Sequence, residues 1–321
     1  MTIRLHLPYE ELPMVETLSA VPHLAEDVSR RLISACNLCG GTTTAPYCPQ
    51  NGRGLVQCVS CGLVYVGQQP DAEALYTLYS ANYFKNDHSG EVGYTNYAAD
   101  EPNIRKTAHK RLAHIERFVP RGRLLDVGCA LGFVMDVAHE RGWQVEGLDV
   151  SQFAIETVKT RWGYTTYHGS LTEQNLPSAA YDAITMYDVI EHVPDPRAYV
   201  QEAARLLRAG GICELATPDI GSLPARLTGK RWIGYKLADE HVYYFSVATL
   251  TRMFNDAGFD VVYVRHVGKH VTLRLFLDRL GFYVPLLARP LQGLEQRLQL
   301  SQRSFYVNPL DIVAITARRR S

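Results

Sequence analysis

Four cysteines stand in two C-x-x-C pairs, Cys36 and Cys39 in CNLCG and Cys58 and Cys61 in CVSCG. Eighteen residues lie between Cys39 and Cys58. That spacing suits a four-cysteine zinc site. Four thiolates satisfy a tetrahedral zinc ion, and a glycine after each pair (Gly40, Gly62) lets the chain turn its amides toward sulfur. With all four positions filled by protein, such an ion is structural. A disulfide scaffold would need an oxidising compartment instead. Cys48 lies between the pairs and is spare, or replaces one ligand. Arg53 is the only lysine or arginine between Cys36 and Cys61, so the module reads as a folding staple or a wall of the substrate site.

A second chemical feature is LLDVGCALG, from Leu124 to Gly132. It has the form of a glycine-rich turn after a strand. A dinucleotide turn requires G-x-G-x-x-G or A. Counting from Gly128, the third and sixth positions are Ala130 and Phe133, which argues against a pyrophosphate ligand. A P-loop lysine is missing too. A cofactor without phosphates remains. Asp149, at the end of WQVEGLDV, suits one with a ribose diol, because a carboxylate accepts both hydroxyl protons. The third feature is DVIEHVPDP, which carries His192. A second histidine, His241, lies in ADEHVYYFS. Either could serve as a base near neutral pH. His88 and His109 are weaker candidates.

Strand and helix patterns alternate around these residues. RLLDVG, WQVEGLDV, YTTYHGS, YDAITMYDV and ICELATPD read as strands. FVMDVAHERG, SQFAIETVKTRWG and RAYVQEAARLLRAGG read as helices, with Ser151 and Gly163 capping the second. Such alternation builds a doubly wound, Rossmann-like parallel sheet. Ligands bind at the carboxyl ends of its strands. Those ends carry Gly128 to Gly132, Asp149, Ser170, Tyr187 with Asp188, and Thr217 to Asp219.

In this order and spacing, LLDVGCALG, EGLDVS, YDAITMYDVIEHVPDP and LLRAGGICELATPDIGS resemble a class I S-adenosylmethionine-dependent methyltransferase. The cysteine module and DEHVYYFS are similar to a zinc-ribbon-bearing bacterial subgroup. The resemblance implies that Asp126, Gly128, Ala130 and Gly132 line the methionine part of S-adenosylmethionine. It places Asp149 on the ribose, Val150 against the adenine, and Ser170 and Leu171 at the adenine edge. Cys129 and Tyr187 are counted in the same set. Ala130 replaces the family's usual glycine, and Ser170 stands where many relatives have an aspartate. DVIEHVPDP is also similar to the E-x-x-E-H pattern of quinone-biosynthesis O-methyltransferases. That similarity implies a divalent metal at Asp188, Glu191 and His192. His192, Glu191 and His241 are the catalytic candidates.

The expected organisation is an N-terminal extension over 1–34, a zinc-ribbon-like module over 35–68, and a tyrosine-rich helical cap over 69–118. The cofactor-binding core covers 119–265. A helical insertion and the last strand of the core cover 266–321. In the cap, Tyr76, Tyr79 and Tyr83 share a helical face that is expected to pack on the core. KNDHSGEVGYTNYAAD reads as a mobile cover.

The 33 basic and 33 acidic residues cancel, which argues against general nucleic-acid or acidic-membrane affinity. No run of eighteen apolar residues exists to span a membrane. Glu10 and Glu11 interrupt any leader-like run, so the expected compartment is the cytoplasm. The reading is methyl transfer to the oxygen or carbon of a small molecule, sugar-like or a natural-product intermediate. The amino-methylating N/D-P-P-Y/F motif is absent. The rivals are a nucleic-acid modifier that reads through its ribbon, and a non-catalytic cofactor-binding scaffold. The C-terminal helical insertion is the candidate surface for forming a homo-oligomer.

Overall fold

The structure, a computed structural model, describes residues 29–50, 53–79, 83–84, 97–237 and 240–321. His88, Tyr94 and nearly all of the expected cover segment fall outside the described residues.

The chain opens with short strands: β1 (Arg30–Leu32), β2 (Thr44–Gln50), β3 (Arg53–Cys58), β4 (Val64–Val66) and β5 (Gln68–Pro70). Helix α1 (Ala72–Thr77) and helix α2 (Glu101–Ile115) follow. Then come β6 (Arg123–Val127), α3 (Phe133–Glu140), β7 (Gln144–Asp149), α4 (Gln152–Trp162), β8 (Thr165–His168) and β9 (Tyr181–Tyr187). The core continues with α5 (Pro196–Leu206), β10 (Leu207–Pro218), α6 (Leu223–Thr228), β11 (Tyr243–Tyr244), α7 (Val247–Asp256) and β12 (Phe259–His266). The chain closes with β13 (Lys269–Thr272), α8 (Leu273–Tyr283), α9 (Pro285–Arg297), β14 (Ser304–Val307) and β15 (Ile312–Arg319).

Seven strands form the central sheet in the order β12-β15-β10-β9-β6-β7-β8. β6, β7, β8, β9 and β10 pair in parallel, and β15 runs antiparallel to both of its neighbours. Both faces are covered, which explains why β9 is an almost continuous buried run. One apolar cluster holds Leu112, Phe133, Met135 and Val158 from α2, α3 and α4. The other holds Val200, Leu206, Leu250 and Phe254 from α5 and α7. The Ser151 hydroxyl accepts from the Ala154 N–H at the start of α4, and Gly163 ends that helix at φ +69°.

Two features were not legible beforehand. β11, inside ADEHVYYFS, joins the ribbon sheet in the order β11-β4-β3-β2, so the ribbon is stitched to the core. The C-terminal insertion holds the expected pair of helices and also the antiparallel pair β13–β14. Helix α9 leaves Leu286, Leu287 and Leu294 exposed, with Leu298 at its C-cap, in the insertion expected to serve self-association. No helix among the described residues is long and apolar enough to cross a membrane.

The turn from β6 into α3 needs glycine at two places. A Cβ on Gly128 (φ +72°) would lie 2.4 Å from Val189, and one on Gly132 (φ +79°) would lie 2.8 Å from Val158. Ala130 adopts φ +48° without being glycine. In that conformation its N–H donates to Asp149 Oδ2 at 2.8 Å. A left-handed alanine costs about 1–2 kcal/mol, and glycine returns about 0.5–1 kcal/mol of that as chain entropy. Ala130→Gly is therefore expected to stabilise the fold by about 0.5–1 kcal/mol in urea unfolding. Gly132→Ala adds strain and overpacking, and is expected to destabilise it by about 2–4 kcal/mol in the same assay.

Candidate active site

A cavity opens where β6, β7 and β9 end, roofed by α2 and the tyrosines after α1. It encloses about 1260 Å³ counting its open mouth. Asp126, Gly128, Cys129, Ala130, Asp149 and Val150 line one side. Tyr187, Asp188, His192, Tyr79 and Lys269 line the other. Six of the expected cofactor residues and Tyr187 thus line one cavity, with Tyr187 at the end of the strand paired with β6.

Three expected residues stand behind that wall. Gly132 packs against Val158 and Trp162. Leu171 is fully buried, and the Ser170 hydroxyl bonds the Tyr199 hydroxyl at 3.0 Å. Tyr199 is the one that reaches the cavity. Tyr76, Tyr79 and Tyr83 also line it, although the helix that carries the first of them stops at Thr77. Tyr76 and Tyr83 pack on the core as expected, while also lining the cavity with Tyr79.

Two buried carboxylates, Asp126 and Asp149, stand on the cofactor wall. Burial pushes the Asp126 carboxyl up to about 7, Asp149 adds to this, and the Thr185 hydroxyl, donating at 2.6 Å, opposes it. Asp149 is also raised by burial, while the amides of Ser151 and Ala130 pull it back. Both of its oxygens accept backbone bonds, from Ser151 and Ala130, each at 2.8 Å. The sequence reading missed Arg111 of α2. Its guanidinium lies 4.3 Å from the centroid of the Tyr187 ring and lines the cavity. The residue is buried, and its Nε and Nη2 have no hydrogen-bond partner among the described residues. A signal existed: Arg111 interrupts the apolar stripe of Ile104, Ala108, Leu112 and Ile115.

The opposite side centres on His192. Its Nδ1 lies 2.8 Å from the Tyr79 hydroxyl and 3.1 Å from the Glu240 carbonyl. A carbonyl only accepts, so this pairing assigns the proton to Nδ1 and leaves Nε2 as the acceptor. Burial pushes His192 down to about 4, so it is neutral at physiological pH. Glu191 is 2 % exposed, and neither of its carboxylate oxygens has a hydrogen-bond partner among the described residues. Thr217 stands close enough to favour its charge but outside hydrogen-bond geometry. Burial and the Asp188 charge push the Glu191 carboxyl up to about 8. His241 is buried behind His192, with ring centroids 4.6 Å apart.

The expected metal set divides differently in space. Asp188 accepts from Lys269 Nζ at 2.7 Å. The ligand atoms that converge are those of Glu191, His192 and His241, all within 4.8 Å of one another. His109 is exposed beside Glu140, away from the cavity.

The four cysteines also converge. Their sulfurs lie within 4.8 Å of one another, with Cys36–Cys61 and Cys39–Cys58 both at 3.5 Å. Gly40 and Gly62 adopt φ +73° and +79°, and the Gly41 N–H points at Cys39 Sγ at 3.4 Å. This donor set fits a tetrahedral zinc ion, which would serve as a structural centre.

Together the strand order and the single reversed strand define a Rossmann-like α/β fold with a cavity at the carboxyl ends of its parallel strands. Residues 97–264, 168 of the 321, match the family model described as "Methyltransferase domain", and the chain belongs to that family. A "Probable S-adenosylmethionine-dependent methyltransferase" of Mycolicibacterium smegmatis is 32 % identical over 157 residues, covering 49 % of this chain and 58 % of that protein. A "Ubiquinone biosynthesis O-methyltransferase" of Leptothrix cholodnii is 30 % identical over 156 residues, covering 44 % of this chain and 66 % of that protein. The chain thus spans under two thirds of the length of either relative. A solved SAM-dependent methyltransferase from Archaeoglobus fulgidus overlays with a TM-score of 0.48 and 17 % identity, over 70 % of this chain and 99 % of that one.

Metal analysis of the purified protein is expected to find one zinc per chain in the ribbon. Cys58→Ser is expected to release it, because three thiolates hold the ion far less well than four.

Proposed function

We propose that this chain transfers a methyl group from S-adenosylmethionine to a small-molecule acceptor. One observation carries the reading. A buried cation with unpartnered nitrogens, Arg111, and a buried carboxylate, Asp126, line one cavity within electrostatic reach of each other. That pair suits the two charged ends of an amino acid: the carboxylate to Arg111 and the ammonium to Asp126. Asp149 lies on the same wall for a ribose diol, with Val150 beside it for an apolar ring.

S-adenosylmethionine, when bound, supplies an electrophilic methyl group on a positively charged sulfur. The protein's own work is alignment of the acceptor and exclusion of water. Tyr79, Tyr83 and Tyr199 help to enclose the site. His192 is neutral and offers Nε2 as the proton acceptor for a hydroxyl or an acidic C–H. Glu191 and His241 act through His192, by packing and charge. The acceptor we propose is a sugar-like or natural-product intermediate methylated at oxygen or carbon. The relative named as an O-methyltransferase supports the oxygen choice.

A second reading adds a divalent metal held by Glu191, His192 and His241. The unpartnered, buried Glu191 carboxylate favours it. Such an ion would acidify and orient an acceptor hydroxyl. In this reading a divalent metal beyond the ribbon zinc binds the wild type, and His241→Ala abolishes that extra equivalent. Binding that survives His241→Ala removes this site.

Calorimetry tests the main reading. S-adenosylhomocysteine is expected to bind, and an absence of heat at millimolar ligand overturns methyl transfer. Arg111→Ala is expected to weaken this ligand about 10–100-fold, since a charged hydrogen bond contributes about 1.5–3 kcal/mol. The same change is expected to leave 5′-methylthioadenosine, which lacks both charged ends, nearly unaffected. Because the ammonium needs an ionised Asp126, affinity is expected to rise as pH climbs toward about 7 and to level off above it.

A further inference from the structure

The outer side of the Glu191–His192 turn is held by the cysteine ribbon. Asn37 lies inside the first cysteine pair, between Cys36 and Cys39. Its Nδ2 donates to Asp195 Oδ1 at 2.8 Å, and its Oδ1 accepts from the Arg197 N–H at 3.0 Å. Asp195 Oδ1 also accepts from the Ala198 N–H at 3.0 Å, which caps α5. Asn37 therefore completes the first turn of α5 from outside the core. Arg31 and the Tyr243 hydroxyl both donate to the Pro194 carbonyl, at 3.4 and 3.3 Å.

A second connection runs through the strands. The Val66 N–H donates to the Val242 carbonyl at 3.0 Å. The N–H groups of Val242 and Tyr243 donate to the Glu191 carbonyl at 2.9 and 3.2 Å. Gln69 reaches the same Val242 carbonyl at 3.3 Å. Residues 191, 194, 195 and 197 are thus all fastened to the ribbon or to the strand paired with it. Within that span, His192 and Val193 face the cavity.

We propose that Asn37 is a positioning residue for the Glu191–His192 turn, and that metal bound by the four cysteines holds this turn in place. The proposal rests on the methyl-transfer reading for the purpose of the turn, but not for the coupling itself. Tetrahedral thiolate ligation closes the loop from Cys36 to Cys39, and so fixes the one side chain that bonds both Asp195 and Arg197. Loss of the metal opens that loop. Both Asn37 bonds are solvent-exposed, so they persist only while the loop holds the side chain in place; without it the α5 cap is left to Asp195 alone. Coupling of this kind is reciprocal in free energy.

Hydrogen exchange of the full, zinc-loaded chain tests the proposal, together with NMR of its histidine rings. Asn37→Ala is expected to keep its zinc and to speed amide exchange across residues 190–198 at least tenfold. Exchange in β6 and β7 is expected to stay as in the wild type. The His192 ring signals are expected to shift or broaden, whereas those of His114, bonded to Thr316 at 3.2 Å on another part of the sheet, hold still. Removing zinc from the wild type with a chelator is expected to reproduce the same local pattern. That arm decides the matter if Asn37→Ala does not fold. An unchanged turn after either treatment overturns the proposal. So does exchange that rises evenly over the whole chain, because the ribbon is then a general staple. Calorimetry with S-adenosylhomocysteine on the same samples keeps the two readings apart: its failure in the wild type sinks methyl transfer and leaves the coupling standing.

Discussion

The bond from the Ala130 N–H to Asp149 Oδ2 ties the end of the first core strand to the end of the second. It holds the Gly128–Gly132 turn against the sheet and sets the floor of the cavity. The bond requires Ala130 in the left-handed region, where an alanine is strained. It also occupies one lone pair of the carboxylate expected to meet the ribose. The strained residue at Ala130 is thereby used to brace the floor of the cavity.

Around that floor the protein gathers buried charge. Asp126, Asp149, Glu191 and Glu214 are all raised by burial. Arg111 and Arg265 lie within electrostatic reach of Glu214. Tyr187 connects the two regions, donating to Glu214 Oε1 at 3.1 Å beneath the Arg111 guanidinium. Buried ionisable groups are costly to a fold unless they are paired. Asp188, which is only partly buried, is paired with Lys269, and that charge lowers its pKa against the pull of desolvation. Arg111 and Glu191 retain unpartnered atoms, and both lie at or directly behind the cavity.

The two metal-type clusters differ in kind. The four-cysteine set has every position filled by thiol and no open coordination site, so it suits a structural ion. The Glu191–His192–His241 set offers three donors next to a cavity, the form of a site with room for substrate. The pairing of β4 with β11 links the two segments, since β11 begins two residues after His241.

Much of this was legible in the chain. Alternating strand and helix patterns, with caps at Ser151 and Gly163, specified the doubly wound sheet through local periodicity and turn chemistry. The two C-x-x-C pairs specified a four-thiol centre by spacing alone. The misfit of Ala130 and Phe133 to a dinucleotide turn separated the cofactor classes. These are short-range signals, written within a few residues of where they act. Arg111, Tyr79, Lys269 and Asn37 were not legible as site residues, nor was the exchange of Asp188 for His241 beside Glu191 and His192. Each depends on a contact between segments far apart in sequence: α2 over β9, β13 against the end of β9, the ribbon against α5, and β11 beside the ribbon. Packing of distant elements chose those partners. Only the folded chain could show which buried arginine lies over a cavity, and which histidine stands beside a buried carboxylate.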